Sequence, residues 1–405
     1  MIRFALKNMA IKKVQIILVV ISIILSAGIA VIAFNVSNQV SDGITKNAKY
    51  YGVIIGPSGS ETQLAMNTMY FTDEPLGTIP FSIVEKLTLE DSSKINDIVP
   101  FAMADNYNGA SVIGTSPLFL ADKNVIGNGE KFSENGVFEA VVGYRVAKQN
   151  GLKIGDVLYT SHSANSLETH SKGLKVVGIL EQTHSSYDNV VFTQLRSLWE
   201  IHDHAEEEGG TDEHEHEHGK TLCAILIRAK NIASANALIE KYDGLSLKGE
   251  HEEENSVYLQ AINPMEAVRD VLDDADNTKY IVYVLSAVIL VMNIMIISII
   301  TLLNMYHSSK EIALMRLIGI SMKKINLLYI IQNSIIGLIS IILAFGLSRL
   351  CLALMNDYVS SMGVVLNIGK IYPLEIVILV GVFLISVLPT AIWTFVMSRR
   401  DSISG

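Results

Sequence analysis

The chain has 405 residues, half of them hydrophobic, and its mean hydropathy is positive, which excludes an ordinary soluble enzyme. A formal net charge of −10 argues against nucleic-acid partners, and two cysteines, Cys223 and Cys351, do not suggest a disulfide framework.

Residues 1–13 carry Arg3, Lys7, Lys12 and Lys13 with no acid, and an uncharged apolar run follows over 14–34. That run reaches the roughly 20 residues a helix needs to cross a bilayer. It is too long for a signal peptide and no clean cleavage site follows, so it reads as a retained anchor. Residues 35–279 hold 19 Lys and Arg against 37 Asp and Glu. Basic residues accumulate on the cytoplasmic side, so this acidic stretch is expected outside the cytoplasm.

The outer segment has two textures. Over about 53–115 and 221–243, short apolar runs alternate with helical stretches, and "AILIRAKNIASANALIEKY" reads as a strand followed by a helix. Over about 116–200, glycine and strand signals dominate, as in "FEAVVGYRVAKQNGLKIGDVLYTS" and "GLKVVGILEQ". The expected fold is thus a membrane protein of four transmembrane α-helices with a large α+β extracytoplasmic domain. A β-rich subdomain is inserted into the α+β one. A stalk helix over about 264–279, with Met265, Val268, Val271 and Leu272 along one stripe, runs into the second apolar stretch.

Residues 202–220, "HDHAEEEGGTDEHEHEHGK", concentrate five histidines among acidic side chains. If extended, His214, His216 and His218 share one face, while His202 and His204 form a second His-x-His. Imidazole binds zinc, nickel or copper, and carboxylates complete such sites. The other reading is a solvated acidic insertion that merely tolerates histidine. His214, Glu215 and His218 also spell H-E-x-x-H, but a metalloprotease needs that motif on an ordered apolar helix, and this stretch has no apolar face. Of the other outer histidines, His162, His170, His184 and His251 read as surface residues, with His184 the one worth testing as an ordered ligand.

The second apolar run spans 280–306, the third 325–347 and the fourth 376–396, with an outer loop over 348–375 and a tail over 397–405. Between the second and third runs, residues 307–324 carry Lys310, Arg316, Lys323 and Lys324 against Glu311 alone, and the tail carries Arg399 and Arg400. Both termini are therefore expected in the cytoplasm. Within 307–324, Ser308 or Ser309 can cap a short helix, Glu311 suits its first turn, and Gly319 suits its C-terminal end.

"SSKEIALMRLIGISMKKI" resembles the signature of the MacB/FtsX/LolC class of ABC-transporter permeases, through Glu311, Ile312, Met315, Arg316 and Gly319. "VVGYRVAKQNGLKIGDVLYTS" and "LKVVGILEQTHSSYDNVVFTQL" are similar to the outer domain of that class at Gly143, Ala147, Gly155, Asp156 and Gly178. The tail resembles the class's ending, with Ser402 standing where a proline is expected after Asp401. The likeness implies a non-enzymatic permease of the bacterial inner membrane that works without a conventional pore. Two copies of a separate cytoplasmic ATPase drive the 307–324 helix, and stalks pass the motion to the outer domains. Two permeases pair, as a homodimer or with a related chain, and an extracytoplasmic adaptor, lipoprotein or metal-binding protein is a further expected partner. No cofactor is required by the class; zinc or another transition metal is expected only on the histidine-rich loop. The chain carries no phosphate-binding loop: Gly219-Lys220-Thr221 is preceded five positions earlier by His214, not glycine. Two rivals stay open, an FtsX-like signalling platform that activates an outer enzyme and a membrane metalloenzyme.

Overall fold

The computed structural model describes residues 9, 12–48, 51–133, 136–162, 169–203, 220–247, 257–307, 309–360 and 364–403. His204, His214, His216, His218 and His251 lie outside them, as does the side chain of Glu311. In chain order come α1 (Lys13–Ala48), β1 (Val53–Pro57), α2 (Glu61–Tyr70), β2 (Ile79–Pro80), α3 (Ser82–Glu90), β3 (Ile95–Tyr107) and β4 (Ala110–Thr115). Then follow β5 (Glu139–Val142), α4 (Tyr144–Asn150), β6 (Val157–Leu158), β7 (Leu174–Ile179), β8 (Val191–Gln194) and α5 (Leu195–Asp203). Next are β9 (Thr221–Leu222), β10 (Ala224–Ala229), α6 (Ile232–Tyr242), β11 (Ser246–Leu247), β12 (Val257–Ile262) and α7 (Pro264–Ala267). The chain closes with α8 (Arg269–His307), α9 (Ser309–Leu317), α10 (Met322–Ser360) and α11 (Pro373–Ile403).

Two compact units result: residues 1–39, 274–356 and 367–405 form one, and 40–273 with 357–366 the other. Among the described residues, four helices are long and apolar enough to cross a membrane, over Lys13–Gly43, Tyr280–Ile300, Met322–Ser360 and Pro373–Ile392. Their outward stripes are apolar too: Val14, Ile17, Leu18, Ile21, Leu25 and Ile29 of α1 are exposed. Water would penalise that arrangement and lipid does not. The helices meet around Ile23, Ala27, Val31, Ile297, Ala344, Leu379 and Val382. Ala27, Ser340 and Ala344 are fully buried, so these small residues let helices of the same chain approach closely. Asn333 donates to the Thr390 hydroxyl, which joins α10 to α11. Farther along α10, Arg349 pairs with the fully buried Glu375 and donates to the carbonyls of Ile368 (3.2 Å) and Lys370 (3.0 Å).

The second unit is built on a ten-stranded sheet in the order β11-β12-β1-β10-β3-β4-β8-β5-β7-β6. Every pairing is antiparallel except β4 with β8 and β5 with β7. The glycine-rich stretch adds β5 to β8 to the same sheet through the parallel β4–β8 contact, so one sheet runs unbroken across both textures. Central strands read as continuous apolar runs because both faces are covered. One face packs Val53, Ile55, Ile225 and Ile227 against α3, α5 and α6 through Leu87, Leu198 and Leu238. Opposite lies a ring cluster of Phe71, Phe101, Phe119, Tyr187 and Phe192, with centroids 5.3–6.5 Å apart. Gly143, after β5, sits so close to the next segment that a Cβ there would lie 2.4 Å from the Tyr187 carbonyl oxygen. Asp357 pairs with Arg145, and Asn189 donates to the Ser360 carbonyl at 3.3 Å, which fixes the 357–366 segment to this unit.

Candidate metal centre

Asp105 is the acidic residue of "FAMADNY", and its side chain has no solvent exposure. A buried carboxylate is costly unless partnered. A register shift in the β3–β4 ladder between Met103 and Asp105 places it: the bulge at Ala104 breaks strict alternation and re-aims the carboxylate. Thr160 donates to Oδ2 at 2.7 Å. Three imidazoles converge on the other oxygen, Oδ1: His202 Nε2 at 3.1 Å, His170 Nε2 at 3.3 Å and His162 Nδ1 at 3.8 Å. The rings pack on one another with centroids 4.6–5.2 Å apart. One ligand atom from each of the four residues lies within 4.8 Å of all the others.

Local structure delivers each histidine. Asn106 and Ser161 exchange backbone hydrogen bonds of 2.7 and 3.0 Å, so His162 follows directly beside the bulge. The His170 amide donates to the Thr160 carbonyl at 2.8 Å, which brings the far side of that loop back to the same spot. His202 stands in the last turn of α5, whose Leu195, Leu198 and Ile201 are buried in the core. The carbonyl end of a helix carries partial negative charge and favours a cation there.

Electrostatics suit a metal. Burial pushes the Asp105 carboxyl up, but hydrogen bonds from His202 and Thr160 and the nearby His202 and His170 more than reverse it, so the group stays below the ordinary carboxylate range. Burial holds the His170 imidazole below its ordinary value, against the pull of Asp105. An anionic oxygen and neutral imidazoles are the forms that ligate a transition metal. Four N and O donors fit zinc, and imidazole also suits copper or nickel. Cys223 is no part of this set: it is buried, its thiol is pushed up by that burial, and it donates to the Met103 carbonyl at 3.7 Å.

Of the loop histidines, His202 enters the cluster, while His204, His214, His216 and His218 lie outside the described residues. The surface reading of His170 is corrected, because its side chain is 7% exposed and faces Asp105, whereas His162 is exposed, as expected, with its Nδ1 3.8 Å from the same carboxylate. The missed signal was Asp105, a lone carboxylate at an inward-facing strand position. His184 is not among the clustered ligands. It takes a positive φ of 52° in a turn where Asp188 accepts its backbone N–H at 2.9 Å. Burial holds the Asp188 carboxyl above its ordinary value.

The residues carrying the permease signature fall on α9. Ile312 is buried against Ile325 and Tyr329, with Met315 beside it, so these two hold α9 to the start of α10. Leu314, Leu317 and Ile318 are exposed, as is Arg316. Gly319 has φ +87°, and the bonds Gly319 N–H to the Arg316 carbonyl (2.9 Å) and Ile320 N–H to the Met315 carbonyl (3.0 Å) form a Schellman motif.

Comparison with known families gives the class. Residues 15–244 match the MacB-like periplasmic core domain, and residues 283–403 match the FtsX-like permease C-terminal domain. The first match alone spans more than half of the chain, and the chain belongs to the MacB/FtsX/LolC-type permease family of ABC transporters. It is accordingly a multi-pass membrane protein of a family that typically works with a cytoplasmic ABC ATPase. Comparison with curated proteins returns no match.

Proposed function

We propose that this chain is the permease subunit of a mechanotransmitting ABC transporter in the bacterial inner membrane, with both termini cytoplasmic. The observation that carries the reading is α9: a nine-residue helix between two membrane-length helices that anchors through Ile312 and Met315 while presenting Leu314, Leu317 and Ile318 outward. Exposed apolar side chains of this kind mark a surface that meets a partner or the membrane, and the partner reading is the one we adopt. A separate ATPase, in two copies, docks there, with Glu311, Arg316 and the Gly319 turn completing the contact. Motion then passes along α8, a single helix from Arg269 to His307, to the sheet unit of each of two paired permeases. Reversing charge by Arg316→Glu should uncouple ATP hydrolysis from outer-domain function while leaving membrane insertion intact; an unchanged coupled activity would refute the assignment.

Metal responsiveness is the second part of the proposal. Zinc taken up by the outer unit changes how that unit responds to the ATPase, and the support is the four-donor cluster that includes His202 of the histidine-rich loop. The metalloenzyme rival is weaker, since a catalytic zinc keeps an open position and this cluster offers four protein donors. An FtsX-like platform remains the alternative, and co-purification of a cell-wall hydrolase with no transported cargo would favour it.

A further inference from the structure

We infer that Asp105, His162, His170 and His202 hold one zinc-class divalent ion in a closed tetrahedral set, and that this ion is a resident, removable cross-link rather than cargo. The inference deepens the metal-responsive reading and rests on it only for the regulatory meaning of the site.

Geometry is the first support. Bonds of about 2.0–2.1 Å in a tetrahedron require ligand atoms about 3.3 Å apart. The three nitrogens lie 3.1, 3.3 and 3.8 Å from Oδ1, which brackets that edge. Three ring nitrogens thus gather within 3.8 Å of one carboxylate oxygen, a convergence that a shared cation uses. Thr160, bonded to Oδ2, turns Oδ1 toward the imidazoles, which is the supporting role that outer hydroxyls play around metal ligands.

Topology is the second. The donors come from three chain segments: the β3 bulge, the loop between β6 and β7, and the end of α5. Asp105 and His170 are 65 positions apart along the chain. An ion joining them removes freedom from any locally opened state, so occupancy stiffens this side of the sheet unit. Three protein nitrogens and an oxygen leave no vacant position for a reacting water, which separates the site from hydrolytic centres. Exchange remains open at the exposed rim of the cluster, where His202 is 32% exposed. His162 is 64% exposed whereas His170 is 7% exposed, so the rim imidazole can swing away without unpacking the core. Four ligands are met without calling on residues 204–218.

The test uses the full-length protein in detergent, with zinc chloride titrated against a chromophoric chelator and Co2+ substituted for its absorption spectrum. The expected result is one tight ion per chain with a tetrahedral cobalt spectrum. His162→Ala, at the rim and with least packing cost, and His170→Ala should each weaken binding more than about 100-fold. Thr160→Val should weaken it about 10- to 100-fold, as loss of an outer partner does. A variant with His204, His214, His216 and His218 all replaced by Asn should keep the ion and its spectrum. A tight ion lost in that loop variant but kept in His162→Ala and His170→Ala overturns the inference. So does an octahedral spectrum, or no binding by the wild type. If the ion binds as described and the ATPase rate of the assembled transporter ignores it, the site stands and metal responsiveness falls. If zinc alters that rate equally in the wild type and His162→Ala, responsiveness runs through another site and the regulatory meaning of this one falls.

Discussion

Replacing Leu317 and Ile318 together with serine should detach the ATPase without harming the permease. Both side chains are nearly free of intramolecular packing, at 83% and 79% exposure, so their removal costs the folded chain little. Fully burying a Leu or Ile side chain is worth about 1.5–3 kcal/mol. Two such side chains, each burying most of its surface on docking, contribute about 2–4 kcal/mol. At about 1.4 kcal/mol per tenfold, affinity for the ATPase should fall roughly 30- to 700-fold. Serine near a helix C-terminus adds only about 0.5 kcal/mol of helix destabilisation, and the Gly319 turn is retained. The assay is a titration of purified ATPase against nanodisc-embedded permease, with the melting temperature of the permease measured alongside. Wild-type affinity in the double variant would refute docking at α9. Lost affinity with an equally lowered melting temperature would show that these residues serve folding instead.

Two further outcomes follow from the sheet unit. Burial alone raises the Asp91 carboxyl, but hydrogen bonds from Lys241, Lys94 and Tyr242 outweigh it and hold the group at about 2, against an ordinary 3.8. A depressed carboxyl stabilises the fold in full above its ordinary value, and that contribution is lost as pH falls through about 2. Both lysines are about a third exposed, which discounts the shift to about 1 kcal/mol. Asp91→Asn should therefore lower stability at pH 6, and its gap from the wild type should close below pH 4 in denaturant titrations; a gap unchanged down to pH 2 would refute the account. Gly143→Ala would force a methyl against the Tyr187 and Asp188 backbone, and about 1–3 kcal/mol should be lost in thermal melts, the usual cost of overpacking. An unshifted melt would mean that the backbone there yields.

Sequence alone determined the four apolar spans, because a run of about 20 uncharged residues has few other solutions. The signature on α9 was equally legible, since Gly319 reports a local need for positive φ that no distant contact is required to create. The glycine and strand texture around Gly155, which takes a positive φ, was legible for the same local reason, whereas Gly143 (φ −61°) is required by a close approach of Tyr187 that only the fold creates. What sequence could not decide was which side of α9 faces the protein: Ile312 and Met315 turn inward only because Ile325 and Tyr329 of α10 receive them. The His/Asp cluster was hidden more deeply. Its histidines stand at 162, 170 and 202 and its carboxylate at 105, and none of these spacings forms a motif. They meet because a strand bulge, a single backbone bridge and a helix end are brought together by the packing of one sheet, and packing is a property of the whole unit. The dense histidine run drew attention by composition, while the donors that converge are scattered residues that only the tertiary fold could gather.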